Sequence, residues 1–232
     1  MSLARTSPVL FTATIAASVL MVVSVGALGE PPGPAASGQE VADWFAAHGG
    51  QARTSAWFLT IFAPFYATFA ALARHRLPAP HRDVFFIGAI TFIAETAVNN
   101  WIWAGLSWHA DQLQPATARV LLDIASFWGP VLNGATISML APVVVLSWGR
   151  GAVLPRWLGV VGGIALVEQT TETVTIFGRT GFTAPGGPMN MMLGAGLCII
   201  WVLCLGITLS RRAPHLRPDA TQAAAEPHTV AG

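Results

Sequence analysis

The chain contains no lysine; all 12 of its basic residues are arginine. Without a side-chain amine it can form no Schiff base, which excludes a retinal-type pigment and lysine-based aldol or pyridoxal-type catalysis. Charge of either sign is scarce. Of 232 residues, 10% are charged and 53% hydrophobic, a balance outside the soluble range. The only two cysteines, Cys198 and Cys204, lie in one apolar stretch; their spacing suits neither a metal nor a CxxC redox pair, so both read as packing residues. There is no glycine-rich phosphate loop, nucleotide fingerprint, HExxH motif or basic nucleic-acid patch. No metal, no cofactor and no nucleic-acid partner is therefore expected.

Long apolar runs are abundant. A membrane crossing takes roughly 20 predominantly apolar residues, and six stretches qualify, near 8–29, 54–73, 84–108, 118–148, 155–177 and 189–210. They predict an all-α, polytopic transmembrane bundle of six spans forming one domain over residues 1–212, with the lipid bilayer as its first partner. From Ala213 to Gly232 the Ala/Pro/Thr-rich sequence has no apolar periodicity and reads as a disordered tail.

Orientation follows from the arginines. Arg5, Arg74, Arg76, Arg82, Arg150, Arg156, Arg211, Arg212 and Arg217 fall on one side of the expected spans, and Arg53, Arg119 and Arg179 on the other. This positive-inside asymmetry places both ends in the cytoplasm and the protein in the inner (plasma) membrane. Arg5 followed by an apolar run ending Val25-Gly26-Ala27 also fits a secretory leader. The run is longer than a usual leader core, which favours an uncleaved span.

Between spans one and two, Pro31-Pro32-Gly33-Pro34 breaks the chain. A short helix then starts at a capping box from Ser37 to Glu40, carries Val41, Trp44 and Phe45 on one face, and is expected to end at Gly49-Gly50. It predicts an amphipathic helix lying on the outer leaflet.

Ionisable and amide side chains inside the spans are the candidate functional residues, because charges at such depth normally face a bundle interior or a wet cavity. In span three, Thr91, Glu95 and Asn99 recur at i, i+4 and i+8 and form one polar stripe, with Asn100 beside it. Glu95 lies roughly 16 Å into its span at about 1.5 Å per residue, near the midplane. It has no basic partner in its own helix and is the candidate general acid. In span five, Glu168 and Glu172 share a face with Thr175, and two carboxylates that close cannot both ionise cheaply in a low dielectric. Span four adds Asp123, Ser126, Pro130 and Asn133 along one face. Asp123 can pair with Arg119, and Glu172 with Arg179. Trp103, eight residues after Glu95, and Trp128 could wall a pocket and hold a cationic species. Trp57, Trp108, Trp148 and Trp157 suit an interfacial aromatic belt.

The Glu40-Val41-Ala42-Asp43-Trp44-Phe45-Ala46-Ala47-His48 segment and the Leu154-Pro155-Arg156-Trp157-Leu158-Gly159 opening of span five resemble a broad group of small bacterial six-helix membrane proteins of unknown function. That resemblance covers nearly the whole chain to Arg212 and implies the fold but no activity. In logic, an intramembrane acid with aromatic neighbours also resembles the integral-membrane terpene cyclases, whose family pattern has seven helices against the six expected here.

The expected function is acid–base catalysis, of cyclase or isomerase type, on a lipid-soluble, isoprenoid-like substrate. Glu95 would donate the proton, Glu168, Glu172 or Asp123 would orient it or take the proton back, and Asn99, Asn100 and Asn133 would position the substrate. A proton-coupled permease and a non-catalytic membrane subunit are the alternatives. An enzyme calls for a one-sided pocket with acids at one end, a permease for a polar path to both faces.

Overall fold

The computed structural model of the protein describes residues 7–149 and 151–212, and every regular element among them is helical. Seven α-helices follow one another: α1 (Pro8–Leu28), α2 (Gly38–Arg74), α3 (His81–Trp108), α4 (Pro115–Ser126), α5 (Trp128–Ser147), α6 (Arg156–Glu172) and α7 (Ala195–Ser210). A 3-10 turn, Thr173–Phe177, continues α6, and a π-helical turn, Met189–Gly194, leads into α7. Arg5, Arg150, Arg217 and the expected tail from Ala213 lie outside the described residues.

Five helical runs are long and apolar enough to cross a membrane: α1, α2, α3, α4 with α5, and the π turn with α7. The sixth, α6, has 17 residues, about 26 Å of helix, a little short of a hydrocarbon core of about 30 Å. The outward surface agrees with a membrane protein. Ile87, Val98, Ile124, Val131, Val167 and Ile200 are each more than half exposed, an apolar exterior that water would penalise and lipid would not.

The bundle has two distinct ends. At one, the Ser7 backbone N–H donates to Ser210 O (2.8 Å) and Arg76 Nη1 donates to Leu209 O (2.7 Å), joining the start of α1, the α2–α3 turn and the end of α7. This is the arginine end. At the other, the loop end, Arg119 Nη1 donates to Ala36 O (3.0 Å), and Gly186 sits against Ser126.

Two elements differ from expectation. The capping box at Ser37 forms as predicted, with the Ser37 N–H donating to Glu40 Oε2 (2.6 Å) and the Glu40 N–H to Ser37 Oγ (3.2 Å). The helix it starts does not stop at Gly49-Gly50, however, but runs 37 residues to Arg74. Gly49 serves packing rather than termination: a Cβ there would stand 3.2 Å from Ser107 O of α3. Val41 and Phe45, expected to face lipid headgroups, are fully buried against Leu106, Ala118 and Leu122. The outer helix is thus the first part of α2, packed on protein. The second difference is the run expected at 118–148, which breaks at Phe127 into α4 and α5. Pro130 has no N–H to offer the Ser126 carbonyl, and its ring crowds that carbonyl, so the ladder cannot continue through the elbow.

The core near the arginine end is filled by large apolar side chains. Phe69, Phe85, Trp201, Leu205 and Leu209 are fully buried there.

Candidate functional site

The last turns of α6 carry Glu168, Gln169 and Glu172, all buried (8%, 3% and 2% exposed). Gln169 joins the two acids. Its Nε2 donates to Glu168 Oε2 (2.8 Å) and to Glu172 Oε2 (2.9 Å), while its Oε1 accepts from Thr136 Oγ1 of α5. The other Glu172 oxygen accepts from Asn190 Nδ2, which also donates to Thr175 Oγ1 (3.3 Å). Glu168 Oε1 is buried with no hydrogen-bond partner. Among the described residues, ion pairs form at Asp83 and Asp123 and at neither of these glutamates. The expected approach of Arg179 to Glu172 does not occur.

The backbone around this pair is irregular, and two glycines make room for it. α6 tightens into a 3-10 turn right after Glu172, and the chain returns through the π turn that presents Asn190. Such turns inside helices often mark functional sites. A Cβ on Gly194 would fall 2.1 Å from Glu172 Oε2, and one on Gly129 would fall 2.8 Å from Asn190 Nδ2. Any side chain at either position would push the amide and the acid apart.

A cavity adjoins the network toward the loop end, between α1, α2, α3, the α4–α5 elbow and the π turn. A deeper, smaller space shares Met21, Trp128, Gly129 and Asn190 with it and reaches Gln169 and Glu172. Asn99, Asn100, Trp103 and Trp128 line the larger cavity, and Asn133 lines the deeper one, as do Thr136 and Cys198. Asn100 is also an anchor, its Nδ2 donating to Ala56 O of α2 (3.0 Å). Trp103 packs on Phe45 and Trp44, with ring centroids 5.6 and 6.3 Å apart.

Glu95 and Asp123 stand elsewhere. Glu95 lines a separate lateral groove between α3 and the α4–α5 elbow, with Val98, Ile102, Phe127 and Val131 as walls. Asn99 and Trp128 border both the groove and the cavity, so they stand between Glu95 and the α6 pair. Glu95 Oε2 is buried without a partner. The expected aromatic wall by Trp103 does not form around Glu95, because Trp103 turns into the cavity on the other side. Asp123, its side chain 48% exposed, is held by Arg119, whose Nε donates to Asp123 Oδ1 (3.0 Å). That pairing was expected. The same guanidinium ties the 33–36 segment to α4, a structural task. The four acids therefore do not converge; Glu168 and Glu172 meet, while Glu95 and Asp123 each stand apart.

Gln169, Asn190, Thr136, Gly129 and Gly194 are site residues that sequence reasoning passed over. Asn190 left a signal as the lone amide in the last apolar run, and Gln169 as the residue between two spaced glutamates. The glycines left none. Among the described residues, no three His, Cys, Asp or Glu side chains stand close enough to share a metal ion. Comparison of the chain with protein-family models, curated proteins and solved structures finds no match.

Proposed function

We propose that the protein is a six-span enzyme of the plasma membrane, with its arginine end cytoplasmic, that exchanges a proton with a lipid-soluble, isoprenoid-like substrate. The Glu168–Glu172 pair would do the chemistry. The observation that carries this reading is the pair itself: two buried carboxyl groups, bridged by one amide, without a cation among the described residues, beside a space that reaches Glu172. In this reading one of the two carboxyls serves as acid and the other as base. Glu172 reaches the deeper space and is the group that meets the substrate; Glu168 is the reserve. Asn190 and Gln169 hold the carboxyl oxygens, and Trp128 walls the substrate side.

Packing favours an enzyme over a permease. Toward the arginine end Tyr66, Phe69, Phe85 and Trp201 join the apolar core, and the space that continues past Thr136 and Cys198 is walled mainly by apolar side chains, which suits a lipid-soluble molecule better than a polar path. The arginine asymmetry supports the orientation, and the continuation of α6 by Thr173–Phe177 supports a sixth crossing.

Deuterium exchange tests the proposal without knowledge of the product. The protein in lipid nanodiscs is incubated in D2O with a membrane lipid extract, and the lipids are analysed by mass spectrometry for carbon-bound deuterium. Wild type should label at least one lipid-soluble compound, and Glu172→Gln should label it about 100-fold more slowly, the usual scale of a lost acid–base group. Equal labelling by both proteins, or none that depends on wild type, refutes the reading.

A further inference from the structure

The cavity that adjoins the acid pair has an unusual wall. Among the described residues, the buried side-chain polar atoms without a hydrogen-bond partner include Thr96 Oγ1, Asn99 Oδ1, Asn100 Oδ1, Trp128 Nε1 and Asn190 Oδ1, and all five belong to residues lining this cavity. A buried polar group left unpaired has lost its hydrogen bonds to water without replacement, which is costly. Five around one space is a ligand-shaped deficit rather than scattered imperfection.

Their polarity is defined. Asn100 spends its Nδ2 on Ala56 O, and Asn190 spends its Nδ2 on Glu172 and Thr175, so each amide leaves its oxygen free. Asn99 makes no side-chain hydrogen bond among the described residues, so its amide can present its oxygen as a third acceptor or its NH2 as a donor. Trp128 Nε1 is a donor that lacks an acceptor. The Thr96 hydroxyl can serve either way.

We infer that the cavity holds the uncharged hydroxyl head of a lipid-soluble alcohol. A hydroxyl donates to an amide oxygen and accepts from the indole N–H, matching both kinds of vacancy with one group. A carboxylate or phosphate would bring only acceptors to a wall of acceptors, and no arginine or histidine lines the cavity to receive it. A ketone could accept from Trp128 and from the Thr96 hydroxyl, and would leave the amide oxygens of Asn100 and Asn190 unanswered. An ammonium group would answer the amides and leave Trp128 unpaired. Met21, Leu28 and Leu59 supply apolar lining for the rest of the molecule. This inference rests on the proposed substrate cavity and narrows its substrate to a hydroxyl-bearing class.

The test is the thermal unfolding midpoint of the full-length protein in nanodiscs with dodecan-1-ol, dodecan-2-one, dodecanoate or dodecylamine. A ligand of the folded state raises the midpoint by mass action. The alcohol should raise it saturably and the other three should not. Asn99→Leu and Trp128→Phe should each shift the alcohol's half-saturating concentration upward about fivefold, the scale of one neutral hydrogen bond. The inference is overturned if no alcohol response exists, as for a cavity holding water alone, if the ketone, acid or amine matches the alcohol, or if both variants respond like wild type. The two readouts on wild type separate the two proposals. An intact alcohol response without any wild-type deuterium labelling would refute the reaction alone, and labelling without an alcohol response would refute the head group alone.

Discussion

Gly194 and Gly196 offer a matched pair of substitutions in one helical run. A Cβ on Gly194 would stand 2.1 Å from Glu172 Oε2 and 3.0 Å from Gln169 Nε2, whereas one on Gly196 would meet nothing within 4 Å. Alanine in a helix is favoured over glycine by about 0.8–1.0 kcal/mol, so Gly196→Ala should stabilise the protein by up to that amount. Gly194→Ala has the same intrinsic gain to set against its clash. The clash is with a carboxyl oxygen held by Gln169 on a side chain only 2% exposed, so it cannot swing into solvent. Overpacking costs typically about 1–3 kcal/mol, and displacing the carboxyl from a buried amide donor adds about 1–3 kcal/mol. The net expectation is a loss of roughly 1–5 kcal/mol for Gly194→Ala after the helix gain is subtracted. Reversible unfolding in mixed detergent micelles, with both variants beside wild type, reads the sign directly. Deuterium labelling should fall in Gly194→Ala and hold in Gly196→Ala. If Gly194→Ala proves as stable as Gly196→Ala, the close fit of the π turn on Glu172 is wrong.

Two further outcomes follow from where the other acids lie. Glu95→Gln should keep deuterium labelling within about twofold of wild type, since Glu95 shares no hydrogen bond or cavity with the α6 pair; a loss near that of Glu172→Gln would place Glu95 in the chemistry after all. Glu40, at the first turn of α2 and outside the segment expected to cross the membrane, has its carboxyl held below the usual range by the Ser37 backbone N–H and hydroxyl. Because the folded state binds the proton less readily than the unfolded chain, the cap's contribution is full above the ordinary carboxylate range and fades as pH falls through the lowered value. The protection of amides 38–41 against hydrogen exchange, taken relative to their intrinsic rates at each pH, should therefore fall in acid, and Glu40→Gln should remove that loss of protection with pH.

The membrane class and most element positions were legible in the sequence, because apolar length and arginine placement are properties of single segments. α1 begins at Pro8, one residue past its Ser7 cap, and the last run spans 189–210 as its apolar stretch implies. The failures have one physical origin. Gly49-Gly50 looked like a helix stop because glycine suits that place, yet Ser107 of α3 needed Gly49 for close packing. Pro130 looked like a polar-face position in a continuous span, yet its missing N–H breaks the ladder at Phe127. Glu95 looked like the central acid from its depth, but depth does not say which cavity a side chain enters.

By itself the sequence determined a helical membrane protein with one basic end, a chain without amine chemistry, and two glutamates on a common face of the same helix, since each depends only on composition or on the helical repeat. Tertiary structure alone decided that those glutamates meet Gln169, Asn190 and Thr136 beside a cavity, while Glu95 and Asp123 go elsewhere. Periodicity assigns a residue to a face of its own helix; only the packing of neighbouring helices assigns that face a partner.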